Sequence, residues 1–139
     1  TNSGVRWLHV PPAGRTLESM WQELDEGADF YKAIQAAPIP LRCIENPIMH
    51  RYARERIEIG HRQVVQPWHY GEEAFKATGL ELVGLPDLVA TDRLTPPQKG
   101  TDDHKRWSAI HRASPGPDRW KLRSTTYNGI AKAMATQWG

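Results

Sequence analysis

Cysteine is almost absent from this 139-residue chain, and the segments that mark secreted and membrane proteins are missing as well. The single cysteine, Cys43, excludes an internal disulfide framework and a cysteine-rich zinc or iron–sulfur site. No run approaches the roughly 18 apolar residues that cross a bilayer, and the first residues lack the layout of a secretory signal. We therefore expect a cytoplasmic protein without a membrane segment.

The common catalytic signatures are missing too. The six histidines include no H-x-x-x-H or H-E-x-x-H pair, so no zinc protease site is predicted. A G-x-S-x-G nucleophile elbow and a G-x-x-x-x-G-K-[ST] phosphate loop are also absent. The sequence therefore predicts no metal site, and any cofactor must be held by other residues.

The composition is that of a folded protein, with 39% hydrophobic and 24% charged residues. Its length predicts one domain over residues 1–139. The net charge is only +2, but residues 99–123 contain seven Lys or Arg and three Asp. A phosphate-binding surface and a solvated loop both have such a charge, and the pattern does not distinguish them.

Hydrophobic periodicity and helix-breaking residues divide the chain into elements. Apolar residues at three- and four-residue spacing predict a helix over 17–35, with Thr16 as its N-cap. The other predicted elements are a strand over 41–44, a helix over 50–59, strands over 63–66 and 79–83, a loop-rich basic segment over 91–126 and a terminal helix over 129–138. This order predicts an α/β fold.

Glu45-Asn46-Pro47 places a carboxylate and an amide at the carboxyl end of the first predicted strand. Ligands of open α/β sheets bind at this edge, where a carboxylate can hold a heterocyclic base by hydrogen bonds. The same residues also fit a helix cap, in which Asn46 precedes a proline at the first helical position. The spacing leaves both interpretations open.

Trp68, His69 and Tyr70 follow the next predicted strand, so a parallel sheet would bring them to the same edge. Nucleic-acid bases stack on side chains of this kind. Tryptophan is also an ordinary core residue, and packing is the alternative role for Trp68. We take the three residues as candidates for stacking on a base or lining a pocket.

Short motifs in a fixed order extend over nearly the whole chain, including Cys43-Ile44-Glu45-Asn46-Pro47, Tyr70-Gly71, 80–86, 115–119 and 127–134. In this order they resemble the C-terminal half of a phage-type family related to DNA cytosine-5 methyltransferases. The resemblance implies a partial Rossmann-like methyltransferase sheet with about three mainly parallel strands, flanking helices and a long basic C-terminal loop region. It also implies DNA as a partner and, for a phage-encoded protein, the cytoplasm of a bacterial host.

Individual residues acquire expected roles through this resemblance. The family's glutamate holds the target cytosine, so Glu45 takes that catalytic role and Asn46 supports the turn. Where the family has a glutamine and two arginines, this chain keeps one basic residue, Lys76, as a DNA contact. Further phosphate contacts are expected from Arg106, Arg112, Arg119 and Arg123. Asn128 and Gly129 match the family's last motif, a turn that feeds a helix close to the cofactor.

Two parts of the family's machinery are missing, namely the glycine-rich turn that holds S-adenosylmethionine and the Pro-Cys dipeptide whose thiolate attacks cytosine. Cys43 lies in a predicted buried strand, where burial raises the pKa of a thiol, so we expect a structural role for it. The complete family uses S-adenosylmethionine. We expect this chain alone to bind none and to be inactive.

Two functions are consistent with these observations. The first is a DNA cytosine methyltransferase-like protein or fragment that contributes target-base and DNA-backbone contacts. The alternative is a non-catalytic module that binds nucleic acid or a protein on a degenerate methyltransferase fold. A second copy of the chain or a separate N-terminal methyltransferase half would cover the open edge of the sheet.

Overall fold

The structure is a computed structural model, and it describes residues 9–47, 49–112, 124 and 127–139. The helices and strands of this part of the chain are α1 (Leu17–Gln35), β1 (Arg42–Pro47), α2 (Arg51–Arg54), β2 (Arg62–Val65), β3 (Thr78–Val83), α3 (Asp102–Trp107), α4 (Ala109–Arg112) and α5 (Asn128–Trp138). The helix predicted over 50–59 is much shorter than expected, since only Arg51–Arg54 are helical. Within the described ranges, no helix combines the length and the apolar character that crossing a membrane requires.

The first helix, α1, has the predicted bounds because its start is fixed locally. Thr16 and Ser19 form a capping box, in which the Thr16 side chain accepts from the Ser19 N–H at 3.1 Å and the Ser19 side chain accepts from the Thr16 N–H at 3.2 Å. The buried face of the helix consists of Met20, Leu24, Ala28 and Tyr31. These residues follow the three- and four-residue spacing of an amphipathic helix, so the prediction is confirmed.

The three strands form one antiparallel sheet in the order β1-β3-β2. The expected Rossmann-like sheet of mainly parallel strands is therefore wrong. The sequence places α2 between β1 and β2 as in a parallel unit, but β3 lies between those strands and pairs with both. Adjacent parallel strands need a long crossover and helices on both faces, and a four-residue α2 does not supply such a layer.

The chain divides into two compact units. Unit 1 comprises residues 1–62 and 79–85, and unit 2 comprises 63–78 and 86–139. A single domain over 1–139 stays a prediction. Of the basic segment predicted over 91–126, the described part contains α3 and α4, which are short helices within an otherwise irregular region.

The core of unit 1 contains one face of α1, one residue of β1 and residues in and around α2. Its buried members are Met20, Leu24, Ala28, Tyr31, Ile44, Met49, Ala53 and Ile57. Trp21, Ile34, Tyr52 and Ile59 are partly buried and pack against this cluster. The helix and the two segments after it are thus fixed by one set of apolar contacts.

Glu81 is a buried carboxylate in the middle of β3, with only 4% of its surface exposed. It accepts hydrogen bonds from the Tyr31 hydroxyl at 2.6 Å, the Gln35 amide at 2.8 Å and the Gly60 N–H at 3.1 Å. Burial and the bond to Glu81 raise the pKa of Tyr31 well above its ordinary value, so its hydroxyl stays protonated and donates. These donors offset the desolvation of the carboxylate.

Replacing Tyr31 with Phe should destabilise unit 1, because Glu81 loses a donor that water cannot replace at a buried site. We expect Tyr31→Phe to lower the free energy of unfolding by about 1–3 kcal/mol, measured by urea denaturation. The matched control is Tyr52→Phe, which removes a hydroxyl whose hydrogen bonds are exposed. Equal losses in the two variants would show that the Tyr31–Glu81 bond does not stabilise the fold.

Candidate functional site

Glu45 and Asn46 lie inside β1, because the strand continues to Pro47. Ile44 and Asn46 are buried, Glu45 is exposed and Cys43 is half-buried, which is the two-residue alternation of a strand. Glu45 therefore shares a face with Cys43, and its carboxylate is accessible. Its position in an antiparallel sheet removes the argument that it stands at the ligand-binding edge of a parallel one.

Asn46 does not cap the helix that follows it. The N-cap of α2 is His50, whose Nδ1 accepts from the Tyr52 N–H at 3.4 Å. Asn46 is instead a buried strand residue with polar interactions of its own. Of the two interpretations of Glu45-Asn46-Pro47, the structure excludes the cap.

Cys43 is a protonated thiol at neutral pH. Burial, followed by the nearby charge of Glu45, raises its pKa to about 11. The raised pKa expected from the sequence is therefore confirmed. A thiol in this state is a poor nucleophile, which fits a packing role for Cys43.

Trp68, His69 and Tyr70 lie on and directly after a single 3-10 turn, Pro67–His69, in unit 2. Tyr70 is 4% exposed, and its hydroxyl donates to the Leu88 carbonyl at 3.3 Å, so it serves as a core residue. Trp68 and His69 are half-buried, with their rings edge-on and their centroids 4.2 Å apart. Only these two of the three predicted stacking residues present surface to solvent.

Arg93 joins this turn, although no local sequence pattern indicates it. The Leu94 N–H donates to the Trp68 carbonyl at 2.9 Å and the Asp92 N–H donates to the His69 carbonyl at 3.3 Å. These bonds place the exposed Arg93 guanidinium over the Trp68 ring, 5.4 Å from its centroid. Burial, followed by the charge of Arg93, lowers the pKa of His69, so its imidazole is neutral at physiological pH.

The turn ends at Gly71, where the chain requires a glycine. Its φ is +81°, in the left-handed region that residues with a side chain rarely adopt. A Cβ at this position would also lie 2.7 Å from Oδ2 of Asp92. Gly71 thus lets residues 68–70 turn back beside 92–94.

The start of α5 packs against the same loop. The Glu72 carboxylate accepts from the Gly129 N–H at 2.5 Å, and a side chain at position 129 would collide with the Tyr70 carbonyl. Lys76 lies over the Tyr127 ring, with its Nζ 5.8 Å from the centroid. The structure therefore brings together Tyr70, Lys76 and Gly129, which the sequence assigned to three different roles.

Asn128 and Gly129 lie in the first turn of α5, where Asn128 is exposed. The Glu72 carboxylate already accepts from the Gly129 N–H, so this backbone donor is taken within the chain. The expected place of the two residues near a cofactor stays a prediction.

The basic residues predicted to contact phosphates differ in how they are paired. Arg106 is bound by Glu73 and, at 2.9 Å, by Asp103, and these hydrogen bonds raise its pKa further. Arg112 is exposed on α4. Arg119 and Arg123 lie outside the described residues. A phosphate at Arg106 would therefore compete with two acidic partners that already offset its charge.

No protein-family model, curated protein or solved structure matches this chain. Among the described residues, no group of three or more His, Cys, Asp or Glu side chains is arranged to hold a metal ion.

The contact between Glu72 and α5 should contribute measurably to stability, because it satisfies a backbone donor in the first turn of the helix. We expect Glu72→Gln to lower the free energy of unfolding by about 1 kcal/mol. The pKa of Tyr127, which burial and then the Glu72 charge raise, should fall. Denaturation and NMR titration of the Tyr127 ring measure the two effects.

Glu73→Gln is the matched control, since it removes the same charge one residue away from an exposed pair with Arg106. Its effect should stay within about 0.5 kcal/mol. A larger loss from Glu73→Gln than from Glu72→Gln would contradict a stabilising contact between Glu72 and the first turn of α5.

Proposed function

We propose that this chain is a non-catalytic nucleic-acid-binding module whose main contact is the pair formed by Trp68 and Arg93. The supporting observation is that the exposed Arg93 places its guanidinium over a half-buried tryptophan ring, 5.4 Å from the ring centroid. Unpaired bases stack on guanidinium planes and on aromatic rings, and this stacking depends little on sequence. The backbone bonds of 68–69 with 92–94 hold the pair in place before a ligand binds.

Arg93 offers a base a planar cation that already lies over the Trp68 ring. A guanidinium is planar, always charged and weakly hydrated, so it stacks on rings at little desolvation cost. A base placed on the outer face of Arg93 would extend the stack, while the adjacent phosphate would meet the positive charge. Single-stranded nucleic acid, whose bases are unpaired, suits this arrangement better than a duplex.

The charge distribution between the units supports the same function. Among the described residues, unit 2 contains seven Lys or Arg against six Asp or Glu, whereas unit 1 contains seven against nine. A local excess of cations lowers the cost of bringing a phosphate backbone to the surface and makes the affinity depend on salt. The pair of Trp68 and Arg93 lies in the unit that carries this excess.

Alanine at either member of the pair should weaken binding to a single-stranded oligonucleotide. Stacking on an aromatic residue contributes about 1–3 kcal/mol per base, so Trp68→Ala should raise the Kd roughly 5- to 150-fold. Arg93→Ala should act similarly, and Arg93→Lys should recover only part of the loss because an ammonium does not stack. Fluorescence anisotropy at one fixed salt concentration measures these changes.

Arg106→Ala is the control for this experiment, because it removes the same charge from a residue that two acids already neutralise. We expect less than about a threefold change in Kd for this variant. Losses of equal size in Arg106→Ala and Arg93→Ala would mean that overall charge, and not the pair, binds the nucleic acid. If the chain binds a protein partner and binds no nucleic acid, the alternative of a protein-binding module is favoured.

A second candidate function, the holding of a target cytosine by Glu45, is favoured by the exposure of this carboxylate on β1. An ionised carboxylate only accepts hydrogen bonds, so it matches the N4 amino group of cytosine and repels O4 of thymine. The attacking thiolate and S-adenosylmethionine would both have to come from a separate N-terminal methyltransferase half. This chain would supply base and backbone contacts.

Glu45→Gln tests this second candidate through base preference. If Glu45 holds the base, the wild-type chain binds a duplex with one unpaired cytosine more tightly than the same duplex with an unpaired thymine. Glutamine accepts and donates, so the preference in Glu45→Gln should fall to about one while stability is unchanged. If the wild type and Glu45→Gln prefer cytosine over thymine to the same extent, Glu45 does not contact the base.

A further inference from the structure

A cluster of aromatic and cationic side chains in unit 1 has no part in the function proposed above. We call it the Tyr52 cluster, and its members are His9, Trp21, His50, Arg51, Tyr52 and Arg56. The Tyr52 ring is central: its centroid lies 5.0 Å from Trp21, 5.0 Å from His50 and 5.8 Å from His9. The members come from α1, from α2 and its flanks, and from the segment before α1, so the fold brings them together.

The Tyr52 hydroxyl is the point at which the polar groups of the cluster converge. The Arg51 guanidinium donates to it at 2.6 Å, and Nε2 of His9 lies 3.0 Å from it. A phenol has one proton and two lone pairs, so His9 either accepts that proton or donates to the second lone pair. A cation, an imidazole and a hydroxyl thus lie within a few ångströms of one another.

The two arginines of the cluster have different surroundings. Arg56 is ion-paired with Asp25, lies over the Trp21 ring at 5.3 Å and donates to the Tyr52 carbonyl at 3.0 Å, so it joins α1 to α2. Arg51 is exposed, and its interactions are with Tyr52 and, electrostatically, Glu55. Its guanidinium has five N–H donors, of which the Tyr52 hydroxyl takes one.

We propose that the Tyr52 cluster binds a phosphate group, which Arg51 contacts through its planar fork while the Tyr52 hydroxyl donates its proton to the phosphate and accepts from His9 at its second lone pair. A guanidinium matches a phosphate bidentately, and the bond to Tyr52 together with the ring beneath it fixes its orientation in advance. Orienting a long side chain before binding reduces the entropy lost when the ligand binds. Phosphate monoesters and diesters share this chemistry.

Titration with inorganic phosphate, followed by the NMR shifts of residues 50–56, tests the site directly. We expect Arg51→Ala to weaken phosphate binding at least about tenfold, as for the loss of a hydrogen bond to a charged group. Arg54→Ala is the matched control, since Arg54 is exposed on the same helix and carries the same charge. It should change the Kd by less than about twofold. Equal losses in the two variants would overturn the proposal.

Tyr52→Phe tests whether the Tyr52 cluster binds phosphate or only stabilises the fold. It keeps the ring that packs against Trp21 and removes only the hydroxyl, so thermal unfolding should be unchanged within a degree or two while phosphate binding weakens about threefold or more. Wild-type phosphate affinity in Tyr52→Phe would overturn the proposal.

Two oligonucleotides identify the source of the phosphate. If the ligand is a terminal monoester, a 5′-phosphorylated single strand binds more tightly than its unphosphorylated twin, and Arg51→Ala abolishes the difference. If the ligand is a backbone diester, the two strands bind alike and both weaken in Arg51→Ala. Trp68→Ala should bind inorganic phosphate like the wild type, so failure of this site is distinguishable from failure of the stacking pair.

Discussion

The buried carboxylate of Glu81 is the constraint on which unit 1 depends. β3 is the central strand and is buried along nearly its whole length, so a charge on it must find its partners inside the protein. Those partners are Tyr31 and Gln35 on α1 and the backbone of Gly60 before β2. A buried carboxylate without donors costs several kcal/mol, which approaches the whole stability of an ordinary domain. The helix, the central strand and the segment before β2 are therefore fixed together.

This constraint also explains where prediction from the sequence succeeded and where it did not. α1 was predictable because the capping box at Thr16 and the apolar spacing are local. In β3, the alternation around Glu81 predicted the strand, and the structure adds that both of its faces are buried. The available signal was on α1, where Tyr31 and Gln35 place polar groups one turn apart beside the buried face. Strand order and direction depend on such distant pairs, which neither the local spacing nor the family resemblance reports, and the mainly parallel sheet that the resemblance implied was wrong.

The candidate residues of unit 2 also divide into those that local motifs predict and those that only distant contacts bring together. The turn at 67–70 and the start of α5 were found from local motifs, and the structure places Tyr70 and Gly129 in contact. Arg93 was missed because only the backbone bonds of 92–94 with 68–69 bring it to Trp68. Arg106 was counted as a phosphate contact from a run of basic residues, but Asp103 and Glu73 already bind it. A basic segment predicts net charge and does not show which cations are neutralised.

The two proposed contacts differ in the physical basis of their affinity. The pair of Trp68 and Arg93 lies in a unit whose described residues carry a small excess of cations, and this excess attracts a phosphate backbone over roughly 10 Å at 0.1 M salt. Unit 1 carries no such excess, and five acids lie along α1. Arg51 must therefore act by geometry, through its orientation on Tyr52, and not through a long-range field. A strand that meets several phosphates releases more counterions than one phosphate at Arg51, so binding at the Trp68 and Arg93 pair should fall more steeply as ionic strength rises.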